Sequence, residues 1–167
     1  MKYILLLAIF CMPAAAQVTT TYDKPKDLTI VESKWRVPKN ASVTVSARCA
    51  FRGSVYKAGT SEAFFLIVGS QAIGWQFMEN NGFTAKADGT RIDLGNANHQ
   101  GQSDRLSRTN LVAEIMTWQP TRAQFQSIAG GRKVEVKVGK AEFQLDDKTL
   151  ADLKAVLAGC TASPATQ

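Results

Sequence analysis

Histidine is nearly absent from this sequence: among 167 residues there is one, His99. A single imidazole cannot supply the several histidine ligands of a typical zinc site, and the three cysteines do not stand in a zinc-binding spacing. A Gly-x-Ser-x-Gly nucleophile elbow and a phosphate-binding loop are also missing. We therefore expect no metal site and no cofactor, and these absences argue against the common hydrolase and nucleotide-binding classes.

Long apolar runs are missing too, except at the N-terminus. Tyr3–Met12 is apolar, follows Lys2 and precedes Ala14-Ala15-Ala16, the pattern of a secretory signal peptide. A membrane-spanning helix needs about 20 apolar residues, roughly twice the length of this run. We therefore predict a signal peptide over residues 1–16 and an exported protein, periplasmic or extracellular, with no transmembrane segment in its mature chain.

The rest of the sequence is long enough for one domain with its own core. Residues 17–27 are polar and threonine-rich, which predicts a flexible leader before a single globular domain over 28–160 and a flexible tail over 161–167. The formal charge of +6 is spread along the chain rather than gathered in a basic groove. Nucleic acid is therefore not an expected partner.

Cys49 and Cys160 are the cysteines that remain after removal of the predicted signal peptide. An even number of cysteines in an exported chain favours a disulfide. Chain-entropy models credit a loop of this size with about 4–5 kcal/mol. Two buried free thiols are the alternative, because cysteine is among the most buried residue types.

The clearest structural signal is a β-hairpin near the C-terminus. Apolar and polar residues alternate over 134–138 and again over 141–146, and Gly139-Lys140 between them suits a type II′ turn. This turn predicts a register that pairs Val136 with Phe143 and places Lys137 opposite Glu142 and Lys133 opposite Asp146.

Two short late helices are predicted. Thr121 and Gln124 form a capping box for a helix over about 121–130, with Phe125, Ile128 and Ala129 on its inner face. The second helix, over about 147–158, has an aspartate cap at 146 or 147 and an apolar stripe. Gly159 is expected to end it in the left-handed conformation.

Further strands complete the predicted fold. Alternation over 42–51 places Cys49 on an apolar face, and 63–68 is apolar on both faces, which indicates a central strand covered on both sides. The turn signals at 80–82 and 88–89 predict a three-stranded meander that begins with a strand over 75–78. The fold class predicted is α+β: β-rich and mainly antiparallel, as one sheet or a two-sheet sandwich with two late helices.

The polar stretch Gly95–Thr109 is predicted to be a loop, and loops of this length are often functional or disordered. Asn98, His99, Arg105 and Arg108 are suited to hydrogen-bonding an anionic or carbohydrate group, so we predict them as binding residues. The alternative is a mobile excursion without a binding role.

Catalytic residues are not predicted, although pieces of catalytic sites are present. His99 could join Ser103 or Ser107 and Asp93 or Asp104, but the spacing specifies no triad geometry. Glycosidase-type chemistry would need two carboxylates in one cleft, and Glu114 is conspicuous because it interrupts an apolar strand. The aromatic residues Trp35, Trp75 and Trp118 suit either a stacking platform or core packing.

The C-terminal third resembles the tail of small exported bacterial proteins of uncharacterised function. The resemblance rests on fold-forming residues: Val134-Glu135-Val136-Lys137-Val138-Gly139, Phe143-Gln144-Leu145, Leu150 and Leu153, preceded by Phe125 and Ile128-Ala129. It implies no activity or ligand. We expect an exported, non-enzymatic domain that binds an envelope partner or a small ligand; a secreted hydrolase of an envelope polymer and a structural subunit of an envelope assembly are the alternatives.

Overall fold

The structure, a computed structural model, describes residues 18–37, 40–104 and 110–161. For residues 35–37, 40–42 and 104 it describes the backbone alone. The predicted signal peptide, Arg105, Arg108, Ser107 and residues 162–167 lie outside this part of the chain, as does the side chain of Trp35.

The described chain forms two antiparallel sheets and two α-helices, which confirms the predicted α+β class. The six-stranded sheet has the strand order β1-β2-β3-β4-β8-β7, and the four-stranded sheet has the order β10-β9-β5-β6. The elements in chain order are β1 Val18–Asp23, β2 Leu28–Val37, β3 Asn40–Arg52, β4 Glu62–Ile73, β5 Gly82–Ala87, β6 Thr90–Asn96, β7 Asn98–Asp104, β8 Leu111–Trp118, α1 Arg122–Gly130, β9 Val134–Val138, β10 Ala141–Gln144 and α2 Asp147–Gly159.

The core lies on one face of the six-stranded sheet, which we call the inner face. Every second residue of β3 from Val43 to Phe51 is buried there, as expected for a strand with one covered side. The four-stranded sheet and both helices supply the opposing apolar side chains. Phe64 of β4 and Phe125 of α1 stack with ring centroids 4.7 Å apart.

The C-terminal hairpin has the predicted register. Val136 pairs with Phe143, and Lys137 lies opposite Glu142 with a 2.6 Å ion pair between their side chains. Gly139 has φ of 58°, as the first central position of a type II′ turn requires.

The predicted pairing of Lys133 with Asp146 is wrong. Lys133, which directly precedes β9, instead forms an ion pair with Glu135 of that strand, 2.8 Å away. Asp146 caps α2, because its carboxylate accepts a hydrogen bond from the Thr149 backbone N–H at 2.7 Å. The carboxylate therefore satisfies a helix terminus rather than a neighbouring strand.

Both predicted helices are present, and α1 begins with the predicted capping box of Thr121 and Gln124. The expected role of Gly159 is wrong, since it is the last residue of α2 and has no positive φ. A Cβ at this position would come within 2.8 Å of Val31. Glycine therefore lets α2 approach β2 closely instead of ending the helix.

Three predictions about strands are also wrong. Residues 75–78, predicted as the first strand of the meander, form no strand. The place beside β5 that this strand would have taken is occupied by β9. The stretch predicted as a loop over 95–109 contains the end of β6 and all of β7. The central strand β4 continues through Gly69 and Ser70 to Ile73, and its outer side is open, since Ile73 is 70% exposed.

Within residues 17–27, where a flexible leader is predicted, Val18–Asp23 forms β1 at the edge of the six-stranded sheet. Backbone pairing with β2 does not depend on apolar side chains. A threonine-rich segment therefore joins the sheet here, which the composition does not indicate.

The predicted disulfide between Cys49 and Cys160 is confirmed, with Cα atoms 6.4 Å apart and 111 residues apart in sequence. It joins the inner face of β3 to the end of α2. Beside it, Arg122 of α1 donates hydrogen bonds to the Cys160 carbonyl and to Glu62 of β4, both at 2.6 Å. The disulfide and this arginine together hold α1, α2 and the central strands at one end of the core.

Replacing both cysteines, Cys49→Ser with Cys160→Ser, is expected to lower the free energy of unfolding by about 4–5 kcal/mol, because the unfolded chain regains the entropy of a long loop. Urea denaturation of the variant and of the oxidised protein measures the difference, with the reduced native sequence as control. Thiol labelling of unfolded, unreduced protein should find neither cysteine free; labelling of both would contradict the bond.

Candidate functional site

A buried carboxylate stands at the centre of the first candidate site. Glu114 lies on the inner face of β8 and is 1% exposed. Its Oε2 accepts a hydrogen bond from the Gln76 backbone N–H at 2.6 Å. Its Oε1 accepts one from the Phe77 backbone N–H at 3.0 Å and lies 3.1 Å from His99 Nε2. A buried carboxyl group needs hydrogen-bond partners to offset its desolvation, and these three groups supply them.

The chain between β4 and β5 forms a strap across this part of the sheet, residues 74–81. Glu114 holds the strap by two backbone amides, and Trp75 lies beside the His99 ring with centroids 6.1 Å apart. A side chain at Gly101 of β7 would collide with the Trp75 ring. The glycine therefore makes the space in which the indole packs.

The arrangement around His99 is not a Ser-His-Asp triad among the described residues. Asp93 accepts hydrogen bonds from Arg91 and from the Gly95 backbone. Ser103 lies on the same side of β7 as His99 but four residues further, about 13 Å along a strand. Ser70, which the sequence did not single out, lies opposite Glu114 on β4, and its buried hydroxyl has no hydrogen-bond partner.

The structure separates the predicted binding residues that it describes. Asn98 is exposed and lies opposite Thr117, whereas His99 lies opposite the buried Met116. Successive residues of a strand face opposite sides of the sheet, so the two side chains do not share a site.

The two tryptophans whose side chains the structure describes, Trp75 and Trp118, do not form a common platform. Trp118 is a core residue that packs on Phe83 and donates from Nε1 to the Gly95 carbonyl, 3.1 Å away. Trp75 is 41% exposed at the edge of the sheet.

The second candidate site is the outer face of the six-stranded sheet, the side opposite the core. Three large aliphatic side chains are exposed on it: Ile73 of β4 and, on β8, Leu111 at 42% and Ile115 at 51% exposure. Ile73 and Leu111 are directly paired, and Ile115 lies opposite Gly69. Leu111, Ala113 and Ile115 form an apolar row along the outer side of β8, and Ile73 extends this row at Leu111, whereas polar Gln71 lies opposite Ala113 on β4. Exposed apolar patches commonly mark interaction sites.

Charged groups adjoin this apolar patch. A cavity of about 820 Å³ has Ile67 and Ile115 in its lining together with the cationic residues Lys34, Arg48 and Lys148. The polar side chains of β7, Asn98, Gln100 and Gln102, lie along the other side, opposite Thr117, Ile115 and Ala113.

Two acidic residues, Glu32 and Asp146, belong to the same lining, and both already accept hydrogen bonds. Glu32 Oε1 accepts hydrogen bonds from the Ser46 hydroxyl at 2.7 Å and from Arg48 at 3.1 Å. Burial raises the pKa of Glu32, but the hydrogen bonds from Ser46 and Arg48 outweigh it and hold the pKa below its ordinary value. Lys34 and Lys148 have side chains that are 75% and 48% exposed, and each is ion-paired: Lys34 Nζ lies 3.8 Å from Glu32 Oε1, and Lys148 Nζ lies 3.1 Å from Asp152 Oδ2.

No group of three or more His, Cys, Asp or Glu side chains is arranged to hold a metal ion in the part of the chain that the structure describes. Neither described helix has the length and hydrophobicity that a membrane crossing requires. Comparison with protein-family models, curated protein sequences and solved structures finds no significant match to this chain.

Glu114→Gln is expected to lower the free energy of unfolding by about 1–3 kcal/mol, because one buried N–H of the strap loses its acceptor. Exposed Glu79 on the same strap provides the matched control, Glu79→Gln. Urea denaturation measures the loss, and hydrogen exchange at the Gln76 and Phe77 amides should quicken in the first variant alone. Equal behaviour of the two variants would show that the Glu114 contacts do not hold the strap.

Proposed function

We propose that this protein is an exported, non-catalytic domain that binds a partner protein on the outer face of its six-stranded sheet. The observation that carries the proposal is the exposed apolar row of Leu111, Ala113 and Ile115 on β8, with Ile73 of β4 beside Leu111. A monomeric domain rarely leaves several large aliphatic side chains together in water unless another molecule covers them.

The chemistry of the patch favours a protein over a glycan or a nucleic acid. Its exposed residues are aliphatic, whereas sugars and bases are usually held by stacking on aromatic rings. An apolar centre beside a polar rim is the common anatomy of a protein interface.

Export is part of the proposal. It rests on the signal-peptide pattern of residues 1–16 and is compatible with the Cys49–Cys160 disulfide, since such bonds persist in oxidising compartments. A partner in the bacterial envelope is therefore the natural candidate, and a stable assembly would make this chain one of its structural subunits.

The proposed binding surface, the outer face of the six-stranded sheet, can be tested by photo-crosslinking. A photo-crosslinking residue is placed at position 115 in cells that produce the full chain. We expect a discrete crosslinked partner at this position and none from the same residue at Val55, an exposed apolar position in the loop between β3 and β4. Ile115→Glu should then weaken binding of the purified partner at least about tenfold, as expected for a central apolar contact.

Val55→Glu is the matched control and should leave binding unchanged. Because Ile115 is half exposed, its replacement should alter the free energy of unfolding little, and urea denaturation of both variants checks this. Identical crosslinks at positions 115 and 55, or equal affinity of the two glutamate variants, would overturn the proposal.

A hydrolase remains the second candidate, because the His99–Glu114 hydrogen bond is the one feature shared with catalytic dyads. Ser70, opposite Glu114, would be its nucleophile. Both oxygens of Glu114 already accept hydrogen bonds from the strap, and Ser70 and Glu114 are buried, so we expect no hydrolysis of envelope polymers or of ester and amide substrates. A hydrolase screen of the native protein, of His99→Ala and of Ser70→Ala tests this candidate. Activity of the native protein that each substitution abolishes would establish the hydrolase.

A further inference from the structure

The strand β7 is an edge of the six-stranded sheet. Among the described strands it pairs with β8 alone. Asn98 and the four residues 100–103 are all exposed, on both sides of the sheet. The backbone groups on its free side are therefore open to pairing with another strand.

The other sheet edges carry features that discourage such pairing. β10 is four residues long, and β6 carries Arg91 and Asp93 and pairs irregularly with β5. The edge strand β1 runs directly into Lys24-Pro25-Lys26. Short length, charge, irregular register and proline all protect sheet edges. In contrast, β7 has no proline, lysine or arginine.

The sequence of β7 is nearly symmetric about Gly101: Asn98-His99-Gln100-Gly101-Gln102-Ser103-Asp104. In an antiparallel pair of two such strands centred on Gly101, Gln100 of one copy lies opposite Gln102 of the other. Each glutamine amide has both donors and an acceptor, so the two amides satisfy each other. The one acidic residue, Asp104, lies at the register position opposite Asn98, so no like charges meet.

We propose that two copies of this chain pair antiparallel along β7, with a two-fold axis at Gly101, and join their six-stranded sheets into one continuous sheet. This inference rests on the edge and is independent of the partner bound on the outer face. Pairing that spans seven residues buries less surface than most permanent dimers. We therefore expect a dimer whose population rises with protein concentration.

The exposed Trp75 fits this arrangement. Its ring packs over Gly101 on the inner side of the edge. Paired strands bring opposed Cα atoms to about 4.5–5.5 Å, so the two Trp75 rings would lie side by side across the axis and cover each other. Dimerisation is therefore expected to reduce quenching of tryptophan fluorescence by added iodide.

The test changes the charge at the two glutamines, which lie on the outer side of the strand opposite Ile115 and Ala113. Gln100→Lys with Gln102→Lys places like charges opposite each other at both pairs. Gln100→Lys with Gln102→Glu places opposite charges there in the same register. Sedimentation of the full chain over a concentration series should show dimer for the native sequence, at least about a tenfold weaker dimer for the first variant, and recovery in the second.

Two outcomes would overturn the proposal. The native chain could stay monomeric throughout the concentration series, or the variant with Gln100→Lys and Gln102→Glu could fail to recover the dimer. Ile115→Glu separates the two surfaces, because it should impair partner binding and leave the dimer intact. If Ile115→Glu abolished the dimer and the variant with Gln100→Lys and Gln102→Lys retained it, self-association would lie on the outer face instead.

Discussion

The alternation of side chains along the six-stranded sheet governs the organisation of this protein. Every second residue of β3, β4 and β8 enters the core, and the residues between them reach the opposite side. The four-stranded sheet and both helices cover the inner face, so the molecule has one buried side and one open side. The aliphatic patch is a direct consequence, because Ile73, Leu111 and Ile115 occupy the positions that alternation sends outward.

The same alternation explains the buried carboxylate. Glu114 occupies an inward position between Val112 and Met116 and cannot reach bulk water. Two backbone amides of the strap donate hydrogen bonds to it, and His99 Nε2 is a third hydrogen-bond partner. A carboxyl group in the core thus positions an irregular segment without strand pairing, and the strap in turn carries Trp75 to the sheet edge above Gly101. A catalytic-looking pair of residues therefore has a complete structural role.

The two proposed surfaces are neighbours on one sheet. The outer face is bordered by β7, whose free edge continues the same plane. Pairing of two edges would extend the open face across both copies and bring two partner sites onto one surface. The weak contacts of each site would then act together, since linking two binding sites raises the effective concentration at the second.

Local signals in the sequence predicted the local structure well. The Gly139-Lys140 turn, the capping box at Thr121 and the alternation around Cys49 depend on neighbours a few residues away, so the hairpin, the helix start and the face of the cysteine followed correctly. The role of Gly159 does not follow from local signals, because it depends on Val31, far away in sequence. The strand in the polar stretch around His99 does not follow either, because edge-strand pairing uses backbone groups that every residue type carries.

The sequence by itself determined the β-rich class, the two late helices and the pair of cysteines available for a disulfide, since each follows from short-range pattern or from counting. Tertiary structure alone decided which strands adjoin, because pairing between segments far apart in the chain leaves no local signature. It placed His99 and the strap around Glu114, set Asn98 on the other side of the sheet, and left the face of Ile73, Leu111 and Ile115 uncovered.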